Sequence, residues 1–154
     1  NFKIEEGRVT WQKIFETNKS FEEITTWIQN NNILLNLIIV ENSLSGEMDK
    51  FRPNFNDAGF SRMKVPIYIS QSSISGFCLL QYKPGRYRIT VKKMFLIQET
   101  DNGLFEEGET TNLDDFVINK RKNQFANHFI NTSSIIINQD FEQLFKIKEV
   151  NDDW

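Results

Sequence analysis

Gly85-Arg86-Tyr87-Arg88-Ile89-Thr90-Val91-Lys92-Lys93-Met94-Phe95-Leu96-Ile97 is the most regularly patterned stretch of the chain. Tyr87, Ile89 and Val91 fall on one face and Arg86, Arg88, Thr90 and Lys92 on the other, the period-two alternation of a half-buried β-strand. The first three are expected to be buried, and Arg86, Arg88 and Thr90 exposed. Phe77-Cys78-Leu79-Leu80-Gln81-Tyr82 reads as a second strand, joined through Lys83-Pro84-Gly85-Arg86, where Pro presets φ and Gly tolerates a positive value. Pairing about Pro84-Gly85 sets Tyr82 opposite Tyr87, Leu80 opposite Ile89 and Cys78 opposite Val91, so the apolar residues of both strands share a face. A one-residue slip would put Arg86 and Arg88 among them. Pro-Gly favours type I or II turns whereas two-residue hairpins prefer the primed types, and a four-residue loop would give the same facing.

The chain has 154 residues and a mass of 18.2 kDa, enough to bury a core in one domain. Hydrophobic residues make up 39% and charged residues 25%, a globular composition, and the 13% aromatic share supplies large buried rings that offset a modest aliphatic count. A net charge of −3 and a pI near 5.3 give no general attraction to polyanions, so nucleic acid is disfavoured as principal partner. Cys78 is the sole cysteine, which rules out an intramolecular disulfide and a cysteine-based zinc site; on the apolar hairpin face it reads as a small buried hydrophobe. The apolar run Ile33 to Val40 is far shorter than the roughly 20 residues of a membrane-spanning helix.

Phe2 to Glu5 and Arg8 to Phe15 read as strands about a Glu6-Gly7 turn, with Val9, Trp11 and Phe15 on one face. Lys13 shares that face, so the strand is expected to end near Gln12 or to carry a bulge. Ser20-Phe21-Glu22-Glu23 is a capping box opening a helix whose Phe21, Ile24, Trp27 and Ile28 form a buried stripe, and Asn30-Asn31-Asn32 ends it. Ile33 to Val40 is predicted to be a strand buried on both faces, with Asn36 its one polar residue. Leu44 to Met48 begins a partner strand running on irregularly to Phe51, and Arg52 to Phe60 is a loop. Val65 to Ser70 resumes β alternation, at an edge or strand start because Pro66 cannot donate to a ladder. Glu99 to Thr111 reads as an acidic solvated loop. A helix is expected from about Asn112, with Asp114 and Asp115 in its first turn. Phe116, Phe125 and Phe129 suggest helical core contacts, and Phe141 to Phe145 a short helix with Phe141, Leu144 and Phe145 inward; Ile135 to Ile137 is left open between strand and turn.

Val9-Thr10-Trp11-Gln12-Lys13-Ile14-Phe15 before a capped helix, Ala58-Gly59-Phe60 leading to Val65-Pro66-Ile67-Tyr68-Ile69, and Gly85-Arg86-Tyr87-Arg88-Ile89-Thr90-Val91 together resemble a family of bacterial domains of unknown function with a TATA-binding-protein-like fold. The resemblance covers about Phe2 to Ile97, and its most specific element is the Gly-Arg-Tyr-Arg strand. It implies an α+β architecture, a curved antiparallel sheet with helices packed on one face. The division it implies is a single domain over 1–154, with a core over 1–98 and an acidic loop and C-terminal helical segment over 99–154. It also implies a secreted, periplasmic or envelope-associated protein, and a start at Asn1 without Met agrees with a removed signal peptide. The family brings no catalytic residues, and sharing this fold does not confer DNA binding, because function lives in a site and not in a scaffold.

His128 is the sole histidine, so no multi-histidine metal site exists, and no Gly-x-Ser-x-Gly elbow supports a Ser-His-Asp triad around it. Asp101, Glu106, Glu107 and Glu109 lack the alternating ligands and closing glutamate of a calcium loop and read as solvated. No glycine-rich phosphate loop occurs, and no cofactor is implied. The candidate site is a basic strip with an aromatic end on the outward face of the hairpin: Arg86, Arg88 and Lys92 on one strand, Lys83, Gln81 and Phe77 on the other. An ordinary wet sheet face has the same composition. As a site, the strip suits an acidic protein, an anionic glycan or a lipid headgroup, with Arg offering bidentate contacts. The leading reading is a non-enzymatic binding or structural module of the bacterial envelope. Its rivals are a ligand-holding domain with an apolar pocket between the curved sheet and a C-terminal helix, and a hydrolase using paired carboxylates, for which no convergent acid pair is visible.

Overall fold

The computed structural model describes residues 1–148, so 149–154 of the expected C-terminal segment lie outside the described residues. In chain order the elements are β1 (Phe2–Glu5), β2 (Arg8–Glu16), α1 (Phe21–Asn30), β3 (Leu34–Val40), β4 (Ser43–Met48), α2 (Ile67–Ser70), β5 (Ser72–Lys83), β6 (Arg86–Gln98), β7 (Thr110–Asn112), α3 (Leu113–Val117), β8 (Ile118–Asn119), β9 (Gln124–Phe125) and α4 (Ser134–Phe145). A 3-10 turn covers Arg62–Lys64, and a wide π-type turn over Phe129–Ser133 leads into α4. One antiparallel sheet runs β1-β2-β6-β5-β4-β3, with β7 pairing the far end of β6; β8 and β9 form a small separate hairpin.

The β5–β6 hairpin takes the register its alternation requires, Tyr82 opposite Tyr87, Leu80 opposite Ile89 and Cys78 opposite Val91. Lys83 pairs directly with Arg86, so the loop is the two residues Pro84-Gly85, and Gly85 at φ +89° has the conformation of the third residue of a type II turn. Tyr87, Ile89 and Val91 are buried and Arg86 and Arg88 exposed. Thr90 departs from expectation and is only 4% exposed. It sits mid-sheet between two strands, where the Gln12 Nε2 donates to its hydroxyl at 2.9 Å and covers it.

Inward-facing side chains of the sheet meet the helices on one face. Ser20 caps α1 through the reciprocal bonds of a capping box, and Phe21, Ile24 and Ile28 are buried with Trp27 half-buried. From α4, Phe141 and Phe145 pack on Trp11 with ring centroids 5.0 and 6.2 Å away. The Trp11 indole donates to Asn138 Oδ1 at 2.9 Å, and the Tyr87 hydroxyl donates to the Phe145 carbonyl at 2.7 Å. Asp114, in the first turn of α3, accepts the Val9 backbone N–H at 2.8 Å.

Four stretches differ from the sequence reading. Lys13 stays on the inner face of an unbroken β2, because its ammonium reaches the sheet margin and pairs with Glu142 of α4. Val65 to Ser70 forms no strand: Pro66, with no N–H to give a ladder, opens α2, and its carbonyl accepts from Ile69 and Ser70. β3 is an edge strand instead of a doubly buried one, with Leu35, Ile38, Ile39 and Val40 all over 40% exposed. Ile135 to Ile137 belongs to α4, which begins about two turns before the expected short helix; Phe125 lies in β9 and Phe129 in the π-type turn.

Candidate functional site

The face of the sheet away from the helices is open, and the pairing registers set out its side chains in rows. Glu16, Arg86 and Lys83 make the first row, and Ile14, Arg88, Gln81, Ser43 and Val40 the second. Gln12, Thr90, Leu79, Ser45 and Ile38 follow, then Lys92, Phe77, Glu47 and Leu35. All five expected site residues, Arg86, Arg88, Lys92, Lys83 and Phe77, therefore share one face, but not one spot. Lys83, Arg86 and Arg88 line an open recess of about 350 Å³ with Ile14, Val40 and Ser43. Lys92 and Phe77 face each other two rows away, about 13 Å along the strand at the usual rise per residue.

The cations of this face are not spent on internal ion pairs. Among the described residues, none of the five ion pairs involves Lys83, Arg86, Arg88 or Lys92. Arg88 donates twice to a neutral acceptor, Gln81 Oε1, from Nε at 3.1 Å and Nη2 at 2.7 Å, which fixes the plane of the guanidinium and leaves its charge uncompensated. At the β1 margin Glu5 is held below the usual carboxylate range, first by its hydrogen bond from Lys3 and further by the charges of Lys3 and Lys92.

Beside the cations lies an apolar belt the sequence reading missed. Ile14 is 53%, Ile38 62% and Val40 60% exposed; Ile14 and Val40 stand at the two ends of the Arg88 row, and Ile38 ends the next. Ile14 was legible: it alternates with Phe15 and so must face outward once Trp11 and Phe15 face in. Val40 and Ile38 were not, because the one polar residue of β3, Asn36, lies at the irregularity between Leu35 and Ile38 and so does not mark which side is wet.

Elsewhere the candidate groups are occupied structurally. His128 is exposed, and its Nδ1 lies 3.2 Å from the Tyr68 hydroxyl, which in turn bonds the fully buried Ser133 Oγ at 2.7 Å. Burial pushes Tyr68 up to about 12 and raises the Cys78 thiol as well. Asp101 accepts from the Glu107 N–H and Glu109 from the Glu106 N–H, so the acidic stretch is a solvated loop, with all four of these carboxylates exposed, braced by its own hydrogen bonds. Among the described residues no three of His, Cys, Asp and Glu are placed to hold a metal, and no helix is long and apolar enough to cross a membrane. Between sheet and α4, where a pocket is expected, Trp11, Phe141 and Phe145 pack together in the core, and a recess of about 570 Å³ lies at the margin, lined by Lys13, Phe15 and Tyr87 of the sheet and by Glu142 and Lys146 at the end of α4.

No protein-family model matches the chain, and no curated protein matches it in sequence. Among solved structures, a TBP-like protein from Parabacteroides distasonis superposes with a TM-score of 0.57 at 16% identity, over 93% of this chain and 94% of that one. A DUF4468 family protein from Bacteroides ovatus gives a TM-score of 0.49 at 14% identity, over 97% of this chain and 93% of that one. At such identities the likeness speaks to backbone architecture, and with the sheet order and the one-sided helices it gives this chain a TATA-binding-protein-like α+β fold.

Proposed function

We propose that the chain is a non-catalytic binding module whose open sheet face docks an acidic protein segment. The observation that carries this reading is the arrangement of Lys83, Arg86 and Arg88 without ion-pair partners among the described residues, beside exposed Ile14 and Val40 in one recess. Unpaired cations favour a polyanion, while the apolar belt favours one that also carries branched side chains, which a protein supplies and a glycan does not. Exposed charges steer association and set its salt dependence, and the apolar contacts supply burial. The envelope location implied by the sequence resemblance belongs to the same proposal, and sequencing the mature N-terminus of protein recovered from cell fractions tests it.

Fluorescence anisotropy with a labelled peptide of alternating Glu and Val tests the docking face. Binding is expected at low ionic strength, weakening as the Debye length falls to about 8 Å at physiological salt, and abolished by Arg86→Glu with Arg88→Glu at an unchanged melting temperature. Both side chains are exposed, so charge reversal leaves the core intact. Equal binding by the double variant, or preferential binding to sulfated glycan or anionic vesicles over the peptide, would overturn the reading.

A further inference from the structure

On the helix side of the sheet, at the far end of the β5–β6 hairpin, a second recess of about 230 Å³ opens between α2, α3 and the turn that follows β6. We infer that it is a binding site for a small aromatic amine, a single ring with a short cationic tail. The inference is independent of the docking face, which is built from other residues on the opposite side of the sheet.

Aromatic side chains make the walls. Tyr68 stacks on Phe116 with centroids 5.2 Å apart, and Phe105 meets Phe116 edge-on at 6.2 Å. Leu96, 3% exposed, forms the floor. The turn that supplies Phe105 is held in place, because Asn102 Oδ1 accepts from both the Leu104 and Phe105 N–H groups and the Asn102 amide donates to Gln71. A cavity of about 150 Å³ holds benzene in a protein interior, so the space here takes a ring and a short tail.

Two polar atoms point to a hydrogen-bonding ligand and not merely to an apolar gap. Ser72 and Gln98 face each other across the hairpin, 2% and 7% exposed, and both line the recess. Gln98 uses its Nε2 twice, towards Gln71 Oε1 at 3.2 Å and the Thr100 carbonyl at 2.8 Å, which turns Oε1 away from both as a free acceptor. Ser72 Oγ takes part in no side-chain hydrogen bond among the described residues. No fully buried side-chain N or O among the described residues lacks a partner, so these two oxygens keep some access to solvent, and both residues line this recess. Both can accept from an ammonium or amine.

Charge selects the sign of the tail. Glu109 is the sole charged residue lining the recess, and Asp101, Glu106 and Glu107 stand on the same turn. A cation is attracted both by these carboxylates and by the faces of the aromatic walls, whereas a carboxylate is repelled by both.

Chemical-shift titration of the whole chain with phenethylamine, 2-phenylethanol and 3-phenylpropanoate separates these contributions. The amine is expected to bind about tenfold or more tightly than the carboxylate, a gap of about 1.4 kcal/mol, with the alcohol between them and the shifts centred on Ser72, Leu96, Gln98 and Phe116. Glu109→Gln keeps an acceptor for the Glu106 N–H at an exposed position, so the fold should stand while the amine's advantage over the alcohol shrinks. Binding of none of the three probes at millimolar concentration, a carboxylate bound as tightly as the amine, or shifts centred elsewhere would each overturn the assignment.

Discussion

Asp140 on α4 shows how one side chain sets a pH dependence that the net charge hides. Burial pushes its carboxyl up from 3.8 to about 6, against the hydrogen bond it accepts from the Asn54 N–H at 3.1 Å and with a further push from the charge of Asp57. Between those two values the folded protein holds a proton that the unfolded chain has released. This group therefore adds stability as pH falls through about 6, and above that its ionised form is a cost to the fold. Glu99, held low first by its bond from Ser73, and Glu142, held low first by Lys13, work in the opposite direction: their contribution is complete above the ordinary value of 4.5 and is lost below it as they protonate. Stability should thus be greatest on the acid side of neutrality, between the titration of Asp140 and that of the two glutamates. Asp140→Asn removes the buried charge while keeping an acceptor for Asn54, so it should raise the melting temperature near neutral pH, with the gain shrinking as pH approaches 5. A variant equally stabilised at both pH values, or destabilised at neutrality, would show that Asp140 is not the group responsible.

At the scale of elements, local signals succeeded where a single interaction decided the conformation. Ser20 and Glu23 form both bonds of the capping box, so Ser20→Ala should cost roughly 0.5–2 kcal/mol in chemical denaturation, and Glu23→Ala a part of the same sum. No loss from Ser20→Ala would mean that α1 is held by its Ile24 and Ile28 face alone. The β5–β6 register was legible for a similar reason: a one-residue slip places Arg86 and Arg88 in the core, and the Pro84-Gly85 turn sets the pivot. β3 was misread because burial is a property of neighbours, and an apolar strand looks the same whether both its faces are covered or one is bare. Its position is fixed by Gly46 of β4, where a Cβ would come within 2.7 Å of the Leu35 carbonyl, a constraint visible only after pairing. The helix at Pro66 was missed because alternation outweighed the missing N–H donor. The candidate site followed the same division: the cationic half of the proposed docking face came from alternation on the β5–β6 hairpin, whereas its apolar belt and the aromatic recess depend on strands and turns distant in sequence.

At the scale of the whole molecule, the open face exists only because the other face is covered, and much of the cover comes from the last third of the chain. Phe129, Ile136, Ile137, Phe141 and Phe145 are all buried to within 1% exposure. At about 1.5–3 kcal/mol for each large apolar side chain removed from water, these five contribute roughly 8–15 kcal/mol, an upper range since unfolded chains already bury some surface. That is as large as the whole net stability of an ordinary domain, about 5–15 kcal/mol. Tyr87, beside the hairpin turn, would also lose the Phe145 carbonyl, and Trp11 would lose Asn138. The stretch 1–98, although it carries almost the entire sheet, should therefore not hold its tertiary structure alone. Expressed by itself it is expected to bind a hydrophobic dye, to lack near-ultraviolet circular dichroism and to melt without a sharp transition, while the full chain unfolds in one step by both near- and far-ultraviolet signals. A fragment 1–98 with dispersed amide resonances and a cooperative melt would show that the sheet and α1 suffice. In that case α4 would be an added cover, and the proposed docking could be tested on the fragment, whereas failure of the fragment makes the C-terminal third a structural requirement for the open face itself.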